Sequence, residues 1–279
     1  MKKNITQKMI TDFRSFLFED EKSNNTIEKY MHDIMVFSAF ANGLEINKDL
    51  VIKYKSNLIE KYTVASANSM IAALNAFLNF TGWTDCCIKQ FKVQKKVFCS
   101  EEKELTKSEY VRLVNAAKQK CNERLNLIMQ TICGTGIRVS ELKFITVEAV
   151  RKGEATVSCK NKTRTIFIIR DLQKKLLKYI RAKSIVSGCV FITKSGKPID
   201  RSNIWKEMKS ICKHAGVSDN KVFPHNLRHL FARAFYSIDK DIAKLADILG
   251  HSSINTTRIY IITTGAEHKQ KIEKLHLII

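Results

Sequence analysis

Only two prolines, Pro198 and Pro224, fall in 279 residues, so the first 197 positions hold no side chain that removes a backbone donor or clashes with the preceding helical turn. A chain so free of breakers is open to long helices. Its apolar residues recur three and four apart over residues 5–18, 24–41, 47–60 and 65–81, the spacing that gathers a stripe on one helix face. Ile27, Tyr30, Ile34 and Phe37 make one such stripe, and Ile71, Leu74, Phe77 and Leu78 make another. These segments predict a four-helix N-terminal domain over residues 1–91.

Residues 92–104 are charged and unpatterned, as an interdomain linker is, and a second domain is expected over 105–279. Thr106 can cap a helix there, and Glu109, three residues on, completes a capping box. A further helix over about 122–133 leads to a turn at Gly134 to Gly136. The period then changes from helical to alternating. Residues 155–159 and 164–168 flank a polar turn and predict a β-hairpin, and residues 190–192 a third strand. Helices are expected at about 171–184, 201–214, 225–236, 241–249 and 254–261, with a short one closing the chain. The fold class is therefore mainly α with a small antiparallel β-sheet, in two domains.

Charge separates the two halves. Residues 1–93 carry 12 Lys/Arg and 10 Asp/Glu, whereas the remainder carries 36 and 17, so nearly all of the net +21 lies in the second domain. Such a surface attracts a polyanion, and counterion release makes that binding strong and salt-sensitive. The eight cysteines include no Cys-x-x-Cys pair and sit mostly in apolar runs, as small core residues in a reducing cytoplasm do. The start is basic but lacks the apolar stretch of a secretory signal, and no apolar run approaches the ~18–20 residues of a membrane span. Cys212 and His214 lack the second pair that a metal site needs, and neither an acidic metal cluster nor a phosphate-binding loop is present. No cofactor is expected.

Three phrases in the second domain carry chemistry: Gly-Thr-Gly-Ile-Arg-Val-Ser-Glu-Leu (134–142), Pro-His-Asn-Leu-Arg-His (224–229), and Leu-Gly-His-Ser-Ser (249–253) followed by Tyr260. Arg138 and Arg228 can fork onto the non-bridging oxygens of one phosphate. Glu141, three residues after Arg138, is placed to fix that guanidinium. His225 and His251 can donate hydrogen bonds or move protons, Tyr260 can attack phosphorus, and Lys160 can protonate the departing oxygen. A free phenol, with a pKa of ~10, is a poor nucleophile, and cationic neighbours would stabilise its phenolate.

The order and wording of these phrases resemble the catalytic domain of the tyrosine recombinases, the integrase family, over about residues 105–262. The helices before it, with Thr26, Tyr30 and Asp33, resemble more loosely that family's SAM-like core-binding domain. The resemblance implies a DNA breaking-rejoining fold and a site-specific recombinase, acting in DNA integration, excision, inversion or dimer resolution. Arg138, His225, Arg228 and His251 would surround the scissile phosphate, with Glu141 and His229 supporting. Tyr260 would form a 3′-phosphotyrosine and release a 5′-hydroxyl. The family's hairpin reads approximately Gly-Lys-Gly-Asn-Lys-x-Arg, with the first lysine as general acid. Here Cys159-Lys160-Asn161-Lys162-Thr163-Arg164 lacks both glycines and is one residue shorter, so Lys160 is the match and Lys162 a rival. The resemblance also implies duplex DNA with paired recombination sites as partner. The protein would be a monomer when free and a homotetramer on DNA, joined through a C-terminal exchange helix. The length implies the Xer-like two-domain layout without an arm-binding domain. Two other functions fit the same residues, a type IB topoisomerase-like enzyme and a catalytically idle DNA-binding regulator.

Overall fold

The computed structural model describes residues 3–93, 103–159, 162–261 and 273–274. The chain divides into two compact units, Met1–Lys95 and Lys96–Ile279. Most of the expected linker, 92–104, lies outside the described residues.

The first unit holds four helices, α1 (Gln7–Glu19), α2 (Asn24–Ala41), α3 (Lys48–Lys61) and α4 (Val64–Phe80). Each begins behind a residue whose side chain accepts a first-turn N–H: Thr6, Ser23, Asn47 and Thr63. A cap of this kind typically contributes ~1 kcal/mol, so the boundaries are set locally. The apolar stripes meet in one core, in which Phe13 packs edge-on against Phe77 at 5.2 Å and Phe37 against Tyr54 at 4.9 Å. Asn68 and Asn75, two turns apart on α4, each bond in both directions to the backbone, at Phe91 and Ile88 respectively. They fasten the chain leaving this unit along the helix.

The second unit contains α5 (Lys107–Gln119), α6 (Glu123–Thr135), α7 (Val147–Lys152), the strands β1 (Glu154–Cys159) and β2 (Lys162–Phe167), then α8 (Arg170–Ala182), α9 (Arg201–Ala215), α10 (Pro224–Ile238), α11 (Ile242–Leu249) and α12 (Ile254–Arg258). Thr106 and Glu109 form the capping box that starts α5. α6 is the centre of the core, packed by α5, α8, α9 and α10 and burying Leu125, Ile128, Met129 and Ile132. β1 and β2 pair antiparallel from Glu154↔Phe167 to Cys159↔Lys162.

The expected third strand is absent among the described residues. Only isolated bridges form there, Thr146↔Cys189 just before residues 190–192 and Ile192↔Pro198 at their end. The second bridge is flanked by Thr193 N–H to Lys197 O and Ile199 N–H to Phe191 O, and the turn closed by Gly196 N–H on Thr193 O leaves room for one rung only. Two short elements fall below what periodicity can show: a 3-10 turn, Val139–Phe144, and the six-residue α7. Arg138 therefore stands before a 3-10 helix rather than an α-helix. α12 is shorter than expected, ending at Arg258, and Tyr260 follows on a turn closed by its own N–H to Thr257 O at 2.9 Å. Of the expected terminal helix only Glu273 and Lys274 are described.

Candidate active site

Three chain segments meet where α6 ends, α10 begins and α11 gives way to α12. Gly136 ends α6 with φ +65°, and the backbone turns out to Arg138. Pro224 occupies the first turn of α10, where its missing N–H costs nothing, with His225 beside it and Arg228 and His229 one turn on. Gly250 ends α11 with φ +64° and aims His251 back at α10. A Cβ at Gly250 would collide with the Arg164 guanidinium, and one at Gly136 with the Phe231 ring, so both turns need glycine for space as well as for φ.

Arg228 is the hub. It is 1% exposed, and its guanidinium donates to Gly136 O at 2.5 Å, to Leu249 O at 2.7 Å and to His251 Nε2 at 2.8 Å. It thereby ties the end of α6 to the end of α11. Its buried Nε–H has no partner among the described residues. Burial, then the neighbouring charge of Arg138, lowers its pKa to about 10.

Glu141 organises the rest of the positive charge. Its carboxylate, 3% exposed, accepts from Arg138 N at 2.9 Å, Arg138 Nη1 at 2.8 Å and Arg164 Nη2 at 2.8 Å. Burial alone would raise its pKa, but the Arg138 bonds and the Arg164 charge outweigh that and hold it below the usual value. Arg138 also reaches Gly250 O at 3.0 Å. Arg138, Arg201, Trp205, Phe223, His225 and Arg228 line a cleft of about 400 Å³ beside these groups.

Tyr260 lies deeper, 5% exposed. Its hydroxyl is 3.2 Å from His225 Nε2 and close enough to the Arg228 guanidinium for the two to interact electrostatically. The ring stacks on His229 at 4.2 Å and 30°, and His251 flanks it at 5.2 Å. All three imidazoles are held neutral at pH 7. Burial, followed by arginine charge, lowers His225; burial, then His225 and Arg233, takes His229 to about 4; burial, then Arg228, takes His251 to about 4.

The structure thus brings together Arg138, Glu141, His225, Arg228, His229, His251 and Tyr260. Lys160 lies outside the described residues, and of Lys162 the backbone is placed in β2. Two members of the cluster were not singled out by sequence. Arg164 shares the face of buried Ile166 on β2, so strand alternation does signal it, because an arginine on a core face requires a partner. Thr257, fully buried, sits 2.8 Å from His251 Nδ1 across a turn that no periodicity reveals. Chemically the cluster offers two guanidiniums for an anion, a nucleophile with an adjacent base, and a water-poor setting in which charge contacts act strongly.

Comparison with known proteins matches the phage integrase family over residues 103–266 and the phage integrase N-terminal SAM-like domain over residues 10–84. A tyrosine recombinase, XerA of Pyrococcus furiosus, is 29% identical, covering 99% of this chain and 96% of that protein. Two solved structures share the fold. A lambda integrase dimer bound to a core site has TM-score 0.76 at 19% identity, covering 94% of this chain and 96% of that one. A lambda integrase tetramer bound to a Holliday junction has TM-score 0.72 at 17% identity, covering 93% and 77%.

Proposed function

We propose, for a chain that belongs to the phage integrase family, that this cluster is the centre of a site-specific tyrosine recombinase, which cleaves duplex DNA through a covalent 3′-phosphotyrosine and rejoins it to a partner strand. One observation carries the proposal: the Tyr260 phenol is buried against His225 and His229 and within reach of Arg228, whose spare buried Nε–H suits a phosphate oxygen. The match to tyrosine recombinases over nearly the whole chain supports it.

Arg138 and Arg228 would bind the non-bridging oxygens from the cleft side. The Tyr260 oxygen then attacks phosphorus while its proton passes to His225 Nε2, and the bond to the 5′-oxygen breaks. Lys160, or its rival Lys162, protonates that leaving oxygen. Rejoining is the reverse with a 5′-hydroxyl from the partner duplex, so the phosphotyrosyl bond conserves the energy and no nucleotide is consumed. Because Tyr260 is 5% exposed while Arg138 and His225 line the cleft, DNA binding has to bring phenol and phosphate together.

Duplex DNA with paired sites is the proposed substrate, supported by the basic second half of the chain. A monomer would assemble into a tetramer on paired sites, the state recorded for a lambda integrase on a Holliday junction. The segment 266–279, proposed to dock on a neighbour, lies outside the described residues apart from Glu273 and Lys274. The cytoplasm is the proposed location. The six cysteines whose side chains are described are free thiols, the state a reducing compartment maintains, and no described helix is long and apolar enough to cross a membrane.

Supercoiled plasmids carrying two, one or no copies of the sequence this protein selects from random duplex DNA test the proposal. Inversion or deletion should require two copies. Equal relaxation of the siteless plasmid would establish a topoisomerase-like enzyme instead, and tight binding without any strand breakage an idle DNA-binding protein.

A further inference from the structure

His251 and Thr257 face each other across the turn joining α11 to α12. His251 Nε2 lies 2.8 Å from Arg228 Nη2, and Nδ1 lies 2.8 Å from Thr257 Oγ1. A guanidinium nitrogen only donates, so Nε2 is the acceptor and carries the lone pair of the ring. Burial and the charges of Arg228, Arg138 and Arg164, with His225 beyond them, keep the ring neutral at pH 7. Its single proton is therefore on Nδ1 and is donated to Thr257 Oγ1. Thr257 is fully buried, so this hydroxyl meets the ring without solvent competing.

In that state His251 has no N–H to offer a phosphate. Presenting one at Nε2 without charging the ring needs the other tautomer, and Nδ1 then needs a donor. A carboxylate at position 257 would hold the proton on Nδ1, and a methyl group would satisfy neither form. A hydroxyl serves both, because it accepts or donates at the same place.

We propose that Thr257 is a positioning residue for His251, accepting from Nδ1 in the resting site and donating to Nδ1 when a phosphate is bound, so that the ring presents Nε2–H to a phosphate oxygen without turning. The exchange takes a proton from water at Nε2 and returns the Nδ1 proton to water, so charge and proton count are unchanged. It also frees the Arg228 N–H that Nε2 had accepted, while Leu249 O continues to anchor that guanidinium nitrogen. The role on phosphate rests on the recombinase proposal; the resting tautomer does not.

Two measurements on the whole chain test it. Histidine-selective 15N spectra of the free protein should show His251 as the Nδ1–H tautomer throughout, because Arg228 still donates to Nε2, with the Nδ1 proton at a hydrogen-bonded shift in the parent and in Thr257→Ser and at an unbonded shift in Thr257→Val, which keeps the volume. An unchanged His251 signature in Thr257→Val overturns the proposal. Single-turnover cleavage of a nicked duplex bearing the selected sequence should slow about 3- to 10-fold in Thr257→Val, the loss of one hydrogen bond, and recover in Thr257→Ser. Affinity for the intact duplex should not move. Cleavage by Thr257→Val at the parental rate overturns the proposal as well. If Thr257→Val is poorly folded, Thr257→Ala takes its place with the same expectations. A parent that forms no adduct on any nicked duplex marks failure of the recombinase proposal instead, and the spectra then decide alone.

Discussion

Replacing Glu141 with Gln tests whether one buried carboxylate holds the positive cluster together. Gln keeps the shape and one carbonyl acceptor, which can retain the bond from Arg138 N. Its amide NH2, however, confronts an arginine N–H where the second carboxylate oxygen accepted one. Two charge-assisted bonds at 2.8 Å, from Arg138 and Arg164, lose their ionic partner. Such bonds are worth ~1.5–3 kcal/mol each, and breaking a buried pair from one side costs ~3–5 kcal/mol. Arg138 is 36% exposed at its side chain and recovers some solvation, so the expected loss is about 3 kcal/mol. For a unit the size of Lys96–Ile279 that lowers one calorimetric transition of the whole chain by about 6–12 °C. The pH dependence carries its own sign. The folded pKa of Glu141 lies below the ordinary 4.5, so the stability it adds is complete above that value and is lost as pH falls through the folded pKa. The gap between parent and Glu141→Gln should therefore be constant above about pH 5 and narrow below about pH 4.5. A gap under 2 °C at pH 7, or one that persists unchanged to pH 3, refutes the organising role of Glu141.

Arg228→Lys keeps the charge but loses the fork and two of the three ties that Arg228 makes, so cleavage of a nicked substrate should drop by about 100-fold or more; parental cleavage would remove Arg228 from the phosphate clamp. A 5′-bridging phosphorothiolate, whose sulfur leaves with little protonation, should rescue Lys160→Ala, and rescue of Lys162→Ala instead would move the acid two residues along. Deleting residues 269–279 should leave single-site binding nearly intact and abolish the paired-site complex in gel shifts. A truncated protein that still builds that complex would contradict docking of the tail on a neighbour.

The long helices were legible because their stripes are regular and their caps local. Thr106 marks a helix start that the structure keeps, and Thr6, Ser23, Asn47 and Thr63, which the apolar stripes alone did not single out, cap the other four within two residues of the expected starts. The third strand failed because residues 190–192 have a strand-like composition but run straight into a tight turn at Thr193 to Gly196, and pairing depends on the partner as much as on the segment. α7 escaped notice because six residues complete fewer than two turns. In the site, residue identity and order were enough to gather Arg138, Glu141, His225, Arg228, His229, His251 and Tyr260. What they could not supply was direction. The tie of Arg228 to two helix-end carbonyls and the meeting of Thr257 with His251 depend on turns at Gly136 and Gly250, whose geometry is set by the neighbours that crowd them.

The central claim is that Tyr260 is the nucleophile, and trapping the covalent intermediate measures it directly. The protein is incubated with a nicked duplex bearing its selected sequence, denatured and digested, and the DNA-linked peptide is sequenced by mass spectrometry. The account predicts a 3′-phosphate on Tyr260 in the parent. It predicts none in Tyr260→Phe, which should still bind the duplex with parental affinity. An adduct on any other residue, or one of full yield from Tyr260→Phe, would contradict it.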